Sequence, residues 1–261
     1  MQRVCVFDSG QVRHDVFDPD DLPPVLADLR SENDDVQVLP SEVSLAPPEL
    51  VVMDVDSTLI NEEVIDLLAA HAGVEDQVAA ITGRAMAGEL DFEESLRERV
   101  ALLKGVPVSA LAEVADQVTL TPGVPEWVEA VHEVDCHVAV VSGGFIEIVQ
   151  PLADSVGIDD AFANQLESSG GVLTGKVTGP VVDRAFKAHT LAQLAERVGA
   201  SRTLAIGDGA NDLDMVELAT CGIAFCAKPA LAEKADLVIR HRDMRQLVEI
   251  FCAPYMRGAP V

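Results

Sequence analysis

Short apolar runs alternate with longer segments of helical periodicity along most of this chain. The runs are rich in valine and isoleucine, and they are continuous instead of alternating with polar residues. Continuous apolar strands separated by amphipathic helices are typical of a parallel sheet that helices cover on both faces. The predicted strands are residues 50–53, 137–141, 161–166, 203–206, 222–225 and 237–239. The pattern therefore predicts an α/β fold.

The gap between the first two of these strands, roughly residues 61–134, is far longer than one crossover helix requires. It contains four segments of helical periodicity that glycine or proline separates. These segments are residues 62–71, 75–86, 91–103 and 109–118. We therefore expect a helical domain at residues 61–118, inserted after the first strand of the sheet. A separate hairpin is predicted at residues 165–177, where Gly170 and Gly171 lie between two β-prone stretches.

A domain boundary is predicted at residues 45–48, because Ala46-Pro47-Pro48 cannot continue a helix. Residues 1–48 then form an extension with one helical segment, residues 20–30, and three apolar runs. Those runs are residues 3–7, 12–17 and 36–39. We expect a small α+β unit there, and the pattern assigns it no function. The main domain is expected to comprise residues 49–60 and 119–261.

The composition restricts the classes of partner. The chain has 261 residues, 49% of them hydrophobic, and 44 acidic residues against 18 Lys and Arg residues give a net charge of −26. Its length and apolar content can bury a sizeable core. The negative charge of the chain repels phosphate backbones and anionic membranes. We therefore expect neither nucleic acid nor a membrane as a partner. The sequence contains no signal segment and no apolar run of roughly 18 residues, so a cytoplasmic protein is expected.

Charge and cysteine content also bear on the protein's environment. The acid excess, with lysine scarcer than arginine, is expected of a surface adapted to concentrated salt, but an ordinary acidic protein has the same signature. Five cysteines without paired spacing favour reduced, buried thiols over a metal or redox site. The sequence leaves the oligomeric state open, with a homodimer as one option.

Polar residues follow three of the predicted strands at the point where each strand ends. Asp54 and Asp56 follow the first strand, Ser142-Gly143-Gly144 follows the second, and Gly-Asp-Gly-Ala-Asn-Asp occupies residues 207–212 after the fourth. Carboxyl ends of parallel strands meet at one edge of a sheet, where ligands bind. Each motif alone is weak, because an Asp-x-Asp pair is more often a turn or a helix cap. Together they predict a carboxylate cluster that requires a cation, and such oxygen ligands suit Mg²⁺ and phosphoryl chemistry.

These residues carry a resemblance to a known superfamily. Asp54-Val55-Asp56-Ser57-Thr58, Ser142-Gly143-Gly144, Lys187 and the segment 207–212 resemble the four motifs of the haloacid dehalogenase superfamily. Within it, the phosphoserine phosphatase family is the most similar, over residues 54–63, 86–99, 138–145, 161–164 and 223–229. The resemblance covers about residues 50–251 and leaves the extension outside. It implies a Rossmann-like core with a helical cap inserted after the first core strand.

The resemblance also implies a two-step hydrolysis. Asp54 would be the nucleophile and form an aspartyl-phosphate, and Asp56 would act as the proton donor and general base. Mg²⁺ would be held by the side chains of Asp54 and Asp208 and by the backbone carbonyl of Asp56, with Asp212 orienting the metal's ligands. Groups that would bind the phosphoryl oxygens are Ser142, Gly143, Lys187 and Asn211. The pattern alone favours a surface lysine near the start of a helix for Lys187.

Substrate choice is expected to lie in the insert, because the motifs of the sheet recognise only phosphate. The resemblance implies O-phosphoserine as substrate, with Glu63 binding its ammonium, Arg99 its carboxylate, and Met86 and Phe92 forming an apolar wall. The pattern alone favours exposed helix charges for Glu63 and Arg99, and core positions for Met86 and Phe92. Other esters such as phosphothreonine, phosphohomoserine or a small sugar phosphate stay open as substrates. A further alternative is that this protein has the same fold but binds a ligand without hydrolysing it.

Overall fold

The computed structural model describes residues 1–255, and it begins with a small α+β unit. Its elements are β1 (Gln2–Asp8), β2 (Gln11–Phe17), α1 (Leu22–Glu32), β3 (Val36–Val38) and α2 (Ser41–Ser44). The three strands form an antiparallel sheet in the order β2-β1-β3. Val4 and Val6 face α1, whereas Cys5 packs into the core of the main domain. The predicted strands and helix of the extension are confirmed, and its central strand β1 is covered on both faces.

The main domain is built on a seven-stranded sheet. Its strands are β4 (Leu50–Met53), β5 (His137–Phe145), β6 (Asp160–Ser169), β7 (Val172–Thr178), β8 (Thr203–Gly207), β9 (Cys221–Phe225) and β10 (Leu237–Ile239). The order is β10-β9-β8-β4-β5-β6-β7, parallel throughout except for the antiparallel pair β6 and β7. Every residue of β4, β8 and β9 is buried, as strands covered on both faces require. The predicted α/β fold is confirmed.

The other helices lie either in the insert between β4 and β5 or on the two faces of this sheet. They are α3 (Val64–Ala72), α4 (Glu75–Met86), α5 (Phe92–Ala101), α6 (Ser109–Ala115), α7 (Val124–Glu133), α8 (Ile146–Val156), α9 (Arg184–Val198), α10 (Leu213–Leu218), α11 (Pro229–Ala232) and α12 (Arg245–Leu247). Leu191 of α9, Met215 of α10 and Leu231 of α11 pack on one face, and Trp127 of α7 and Ile148 of α8 lie in the core of the other. None of the helices within residues 1–255 has the length and apolar character to cross a bilayer.

The four helices predicted between the first two core strands are present as α3 to α6. Helix α5 begins where predicted, because the Asp91 side chain accepts the Glu94 N–H while Glu94 accepts the Asp91 N–H. Helix α3 ends at Gly73 in the left-handed conformation. The segment between α5 and α6 contacts β7 through an isolated bridge between Pro107 and Val172. The insert therefore lies close to the carboxyl edge of the sheet.

Two local features differ from or extend the sequence pattern. Strand β5 continues to Phe145 instead of ending at Val141, because a bulge after Ser142 lets Phe145 pair with Asn164. The predicted hairpin is confirmed as β6 and β7, whose turn residues Gly170 and Gly171 have φ values of 62° and 81°.

The five cysteines carry free thiols, and four of them are buried.

The side chain of Gln37 joins the extension to β10, an outer strand of the main sheet. Gln37 of β3 accepts the Val238 N–H at 2.7 Å and donates to the Val238 carbonyl at 2.8 Å. Asp35 forms an ion pair with Arg240, which follows the same strand. The side chain of Gln37 thus occupies the hydrogen-bonding positions that a further strand would take.

Candidate active site

Asp54 and Asp208 follow adjacent strands at the carboxyl edge of the sheet. The last pair between β4 and β8 is formed by Met53 and Ile206, so the two strands end at the same level. The Asp54 N–H donates to the Ile206 carbonyl at 2.9 Å, which fixes the start of the loop after β4. The loop then makes an irregular turn at Val55–Leu59. The acids that were predicted at the strand ends therefore lie together at the carboxyl edge of the sheet.

Lys187 lies inside this cluster, fully buried near the start of α9. Its Nζ donates to Asp54 Oδ1 at 2.6 Å and to Asp212 Oδ1 at 2.7 Å. Burial lowers the pKa of Lys187, but attraction to the two carboxylates outweighs it and holds that pKa above its ordinary value. The interpretation of Lys187 as a surface lysine is therefore wrong, because the first turn of α9 points it into the site.

The carboxylates are more numerous than the cations that face them. Burial, followed by repulsion from Asp212, raises the pKa of Asp54 well above its ordinary value despite Lys187. Burial and then repulsion from Glu63 raise the pKa of Asp56 to about 7. The pKa of Asp208 rises to about 6, through burial and the charge of Asp212. An added cation would stabilise the ionised forms of all of these acids.

The donor set fits a hard divalent cation. Asp54, Asp208 and Asp212 each place one carboxylate oxygen within 4.8 Å of the others. The oxygens of Asp212 already accept hydrogen bonds, Oδ1 from Lys187 and Oδ2 from the backbone N–H groups of Asp208 at 3.1 Å and Gly209 at 3.0 Å. Asp212 therefore holds the loop after β8, and Asp54 and Asp208 keep carboxylate oxygen available to a metal ion such as Mg²⁺.

The loop at Ser142-Gly143-Gly144 brings backbone close to the acids. Ser142 is buried, and its Oγ accepts the Gly144 N–H at 2.8 Å. A Cβ atom on Gly144 would lie 3.0 Å from Asp56 Oδ2, and one on Gly143 would lie 3.0 Å from Phe92 Cζ. Only residues without a Cβ leave this space free beside Asp56 and the insert.

A cavity of about 210 Å³ separates these motifs from the insert. Its walls come from both the main domain and the insert. Lining residues are Asp54, Asp56, Glu63, Ile65, Phe92, Leu96, Arg99, Gly143, Gly144, Phe145, Asp208, Asn211 and Lys228. The cavity therefore contains both the carboxylates of the core and the side chains predicted to recognise a substrate.

On the insert side, Glu63 and Arg99 present opposite charges to this cavity. Glu63 Oε1 accepts a hydrogen bond from Ser57 Oγ at 3.0 Å. Arg99 Nε donates to the Ser95 carbonyl at 3.3 Å, and burial lowers the pKa of Arg99 against the attraction of Asp66 and Glu63. Both therefore face the cavity instead of serving only as helix surface charges.

Met86 lies apart from this arrangement. It is the last residue of α4 and is 82% exposed, whereas Phe92 at the start of α5 lines the cavity. The interpretation of Met86 as a core residue is wrong, because the end of α4 turns its side chain to solvent. Its place in the apolar wall stays a prediction.

The pattern of the haloacid dehalogenase-like hydrolases matches residues 48–220 of the chain. This chain belongs to the haloacid dehalogenase-like hydrolases. The matched segment contains each of the four motifs on which the resemblance was based. It also contains the entire insert.

Several relatives of this haloacid dehalogenase-like hydrolase are named phosphoserine phosphatase. The one from Streptomyces coelicolor is 50% identical over 78% of this chain, and the one from Lactococcus lactis is 48% identical over 78%. The chain spans 50% of the length of the first relative and 96% of the second. A solved structure described as a phospho-aspartyl intermediate analogue of phosphoserine phosphatase matches 78% of this chain and 98% of its own, with 44% identity and a TM-score of 0.73.

Three residues at or near the site of this haloacid dehalogenase-like hydrolase were not predicted to belong to it. Asn164 donates to the Gly143 carbonyl at 2.8 Å and accepts the Val182 N–H at 2.9 Å. Lys228 lines the cavity, and its N–H donates to the Asp208 carbonyl at 2.9 Å. Arg242 contacts the turn after Asp56. Asn164 follows a short apolar run, a signal that could have identified it.

Proposed function

We propose that this hydrolase is a phosphoserine phosphatase that converts O-phospho-L-serine and water into L-serine and phosphate. The observation that carries the proposal is the cavity that Asp54, Asp56 and Asp208 share with Glu63 and Arg99. A phosphate ester could bind on the core side while one acid and one arginine face the ammonium and the carboxylate of the serine group. The names of the relatives support the same substrate.

In the proposed first step, a carboxylate oxygen of Asp54 attacks phosphorus and the bond between phosphorus and the serine oxygen breaks. Asp56 gives its proton to the departing serine oxygen. In the second step, water attacks the aspartyl-phosphate, Asp56 takes the proton, and Asp54 is released. A pKa near 7 suits Asp56 for both transfers.

Bound Mg²⁺ would neutralise the repulsion between Asp54 and the phosphate, and we propose that Asp54, Asp208 and the carbonyl of Asp56 hold it. Asp212 would keep the loop after β8 in place. Lys187 would place a positive charge beside Asp54 and the phosphoryl oxygens. Further contacts to those oxygens would come from Ser142, Gly143 and Asn211.

Residues 61–118 would act as the cap that decides which ester is accepted. Glu63 would bind the ammonium and Arg99 the carboxylate, with Phe92 as the apolar wall. Residues 49–60 and 119–261, of which 256–261 lie outside the described residues, would form the catalytic core, and residues 1–48 the extension. We propose a role in serine biosynthesis in the cytoplasm, and the free thiols of the described cysteines support a reducing compartment.

The proposal is tested by measuring phosphate release from O-phosphoserine, O-phosphothreonine, phosphohomoserine and small sugar phosphates, with and without Mg²⁺. We expect O-phosphoserine to be preferred and activity to require the metal. Preference for another ester would contradict O-phosphoserine as the substrate and leave the proposed hydrolysis mechanism unchanged.

The nucleophile is tested with Asp54→Asn and, as a control, Asp28→Asn at an exposed position of α1. We expect Asp54→Asn to abolish hydrolysis without unfolding the protein, while Asp28→Asn retains wild-type activity. Acid-quenched wild type should carry labelled phosphate on Asp54. Turnover by Asp54→Asn, together with unlabelled wild type, would exclude covalent catalysis.

A further inference from the structure

Arg242, in the loop after β10, reaches the turn that follows Asp56. Its Nη1 donates to the Ser57 carbonyl at 3.0 Å. The guanidinium also stacks over Phe225, with Cζ 5.8 Å from the ring centroid. Phe225 is fully buried at the end of β9. Arg242 therefore links a rigid part of the core to the turn after β4.

The loop that carries Arg242 is itself held in place. The buried Gln246 side chain donates to the His241 carbonyl at 2.8 Å and to the Asp243 carbonyl at 3.0 Å. The Met244 N–H donates to the Pro122 carbonyl at 2.8 Å. Since both ends of the loop are fixed in this way, the guanidinium cannot readily follow a movement of Ser57.

Ser57 lies between two groups to which the proposed function gives roles. Its φ of 57° is in the left-handed region, which is unfavourable for a residue with a Cβ atom. Its Oγ donates to Glu63, and the preceding Asp56 accepts the Val64 N–H through Oδ1 at 3.0 Å. A rotation at Ser57 would therefore turn Asp56 and Glu63 together.

We propose that Arg242 is a positioning residue, which fixes the Ser57 carbonyl and so sets the directions of Asp56 toward the leaving group and of Glu63 toward the substrate. The inference rests on the proposed function for the roles of these two acids. A hydrogen bond from a charged guanidinium is stronger and more directional than one from a neutral donor. The face of Phe225 holds the guanidinium plane at the same time.

The test compares O-phosphoserine with p-nitrophenyl phosphate in Arg242→Met, Arg242→Lys and wild type. The departing serine oxygen requires a proton, whereas p-nitrophenolate leaves without one and has no ammonium to be bound. We expect Arg242→Met to lower kcat/KM for O-phosphoserine by about 10- to 100-fold and for p-nitrophenyl phosphate by less than about threefold. Arg242→Lys, which keeps a cationic donor, should recover part of the loss.

The matched control is Arg245→Met, which removes the same charge nearby from a side chain that pairs with Asp243. It should leave both esters near wild-type rates. Equal losses on the two esters in Arg242→Met, or no loss on either, would overturn the inference. Melting temperatures are measured for every variant. If Arg242→Met does not fold, Arg242→Gln is tested instead, by the ratio of kcat/KM for O-phosphoserine to kcat/KM for p-nitrophenyl phosphate.

Failure of the proposed function gives a different result. In that case wild type itself does not hydrolyse O-phosphoserine. The comparison is then made between p-nitrophenyl phosphate and the alkyl phosphate that wild type prefers. An unchanged ratio in Arg242→Met would overturn the inference for that ester as well.

Discussion

Gly207 lies with its backbone against the side chain of Asp212. A Cβ atom at this position would be 2.4 Å from Asp212 Cγ and 2.5 Å from Asp212 Cβ. These are not the ends of a flexible side chain, so the loop after β8 would have to shift. Because Asp212 accepts hydrogen bonds from Lys187, Asp208 and Gly209, such a shift would reach the whole carboxylate cluster.

We therefore expect Gly207→Ala to lower the free energy of unfolding by about 1 to 3 kcal/mol, the range for overpacking. Phosphate release should fall as well, because Lys187 and Asp208 lose their partner. The control is Gly83→Ala within α4, where no neighbouring atom lies within 4 Å of an added Cβ. It should raise stability by roughly 0.5 to 1 kcal/mol. Urea unfolding measures both, and equal stability of the two variants would contradict the argument.

Arg99 gives a second prediction for a single residue. Arg99→Ala should lower kcat/KM for O-phosphoserine. The fall should correspond to a loss of about 1.5 to 3 kcal/mol in transition-state binding free energy, the range for a charged hydrogen bond. O-phosphoethanolamine keeps the phosphate and ammonium but lacks the carboxylate, so its hydrolysis should change far less. Arg97→Ala on the exposed face of α5, where Arg97 pairs with Glu93, serves as the control. Equal losses on both esters would remove Arg99 from carboxylate recognition.

The residues that the sequence predicted differ from those that it missed in how local their signals are. Asp54 and Asp208 follow apolar strands directly, and the topology of a parallel sheet brings such strand ends together. Lys187 stayed ambiguous, because a helical position does not show which face of the helix meets the site. Arg242 could not be predicted, because its contact with Ser57 depends on the path of a loop 185 residues further along the chain. Met86 shows the reverse, an apolar residue that packing leaves exposed.

Among the elements, β6 is joined to its neighbours by charged groups at the end opposite the active site. Asp160, its first residue, forms an ion pair with Arg197 of α9, and Nε2 of His137 in β5 lies 2.6 Å from Asp160 Oδ2. Partial burial alone would raise the pKa of Asp160, but the hydrogen bonds from Arg197 and His137 outweigh it and lower that pKa below its ordinary value. The start of β6 is therefore stabilised by an ionised acid.

The sign of the pH dependence follows from this shift. A carboxyl whose pKa is lower in the folded state contributes stability above its unfolded pKa, and the contribution is lost as the pH falls through the folded value. We expect Asp160→Asn to be less stable than wild type at pH 7, with a difference that shrinks as the pH falls below about 4. Urea unfolding of both proteins between pH 7 and pH 3.5 measures this, with Asp28→Asn as a control for lost charge. A difference that grows toward low pH would contradict the assignment.

At the scale of the whole molecule, charge repulsion opposes the folded state. The net charge is −26, and the site holds only a few of the 44 acids, so the others repel one another mostly across the surface. The Debye length falls from about 30 Å at 0.01 M salt to about 3 Å at 1 M, and screening removes this repulsion.

The melting temperature should therefore rise steadily from low salt into the molar range of KCl. The series is measured at a fixed concentration of Mg²⁺, so that binding of the metal does not itself change the stability. A flat curve, or a maximum at low salt, would exclude adaptation to concentrated salt. It would leave the proposed phosphatase activity intact, because the two rest on different residues.

The hydrogen bonds between Gln37 and Val238 also bear on how the molecule behaves at high concentration. An outer strand with free N–H and carbonyl groups is a template for pairing with another chain and so for aggregation. Gln37→Leu would free both groups of Val238, and light scattering should then rise at lower protein concentration than in Gln150→Leu, the same change on the exposed surface of α8. Equal scattering by the two variants would assign Gln37 no such role. With Gln37 in place, one amide side chain ends the sheet inside its own molecule instead of letting it continue into the next.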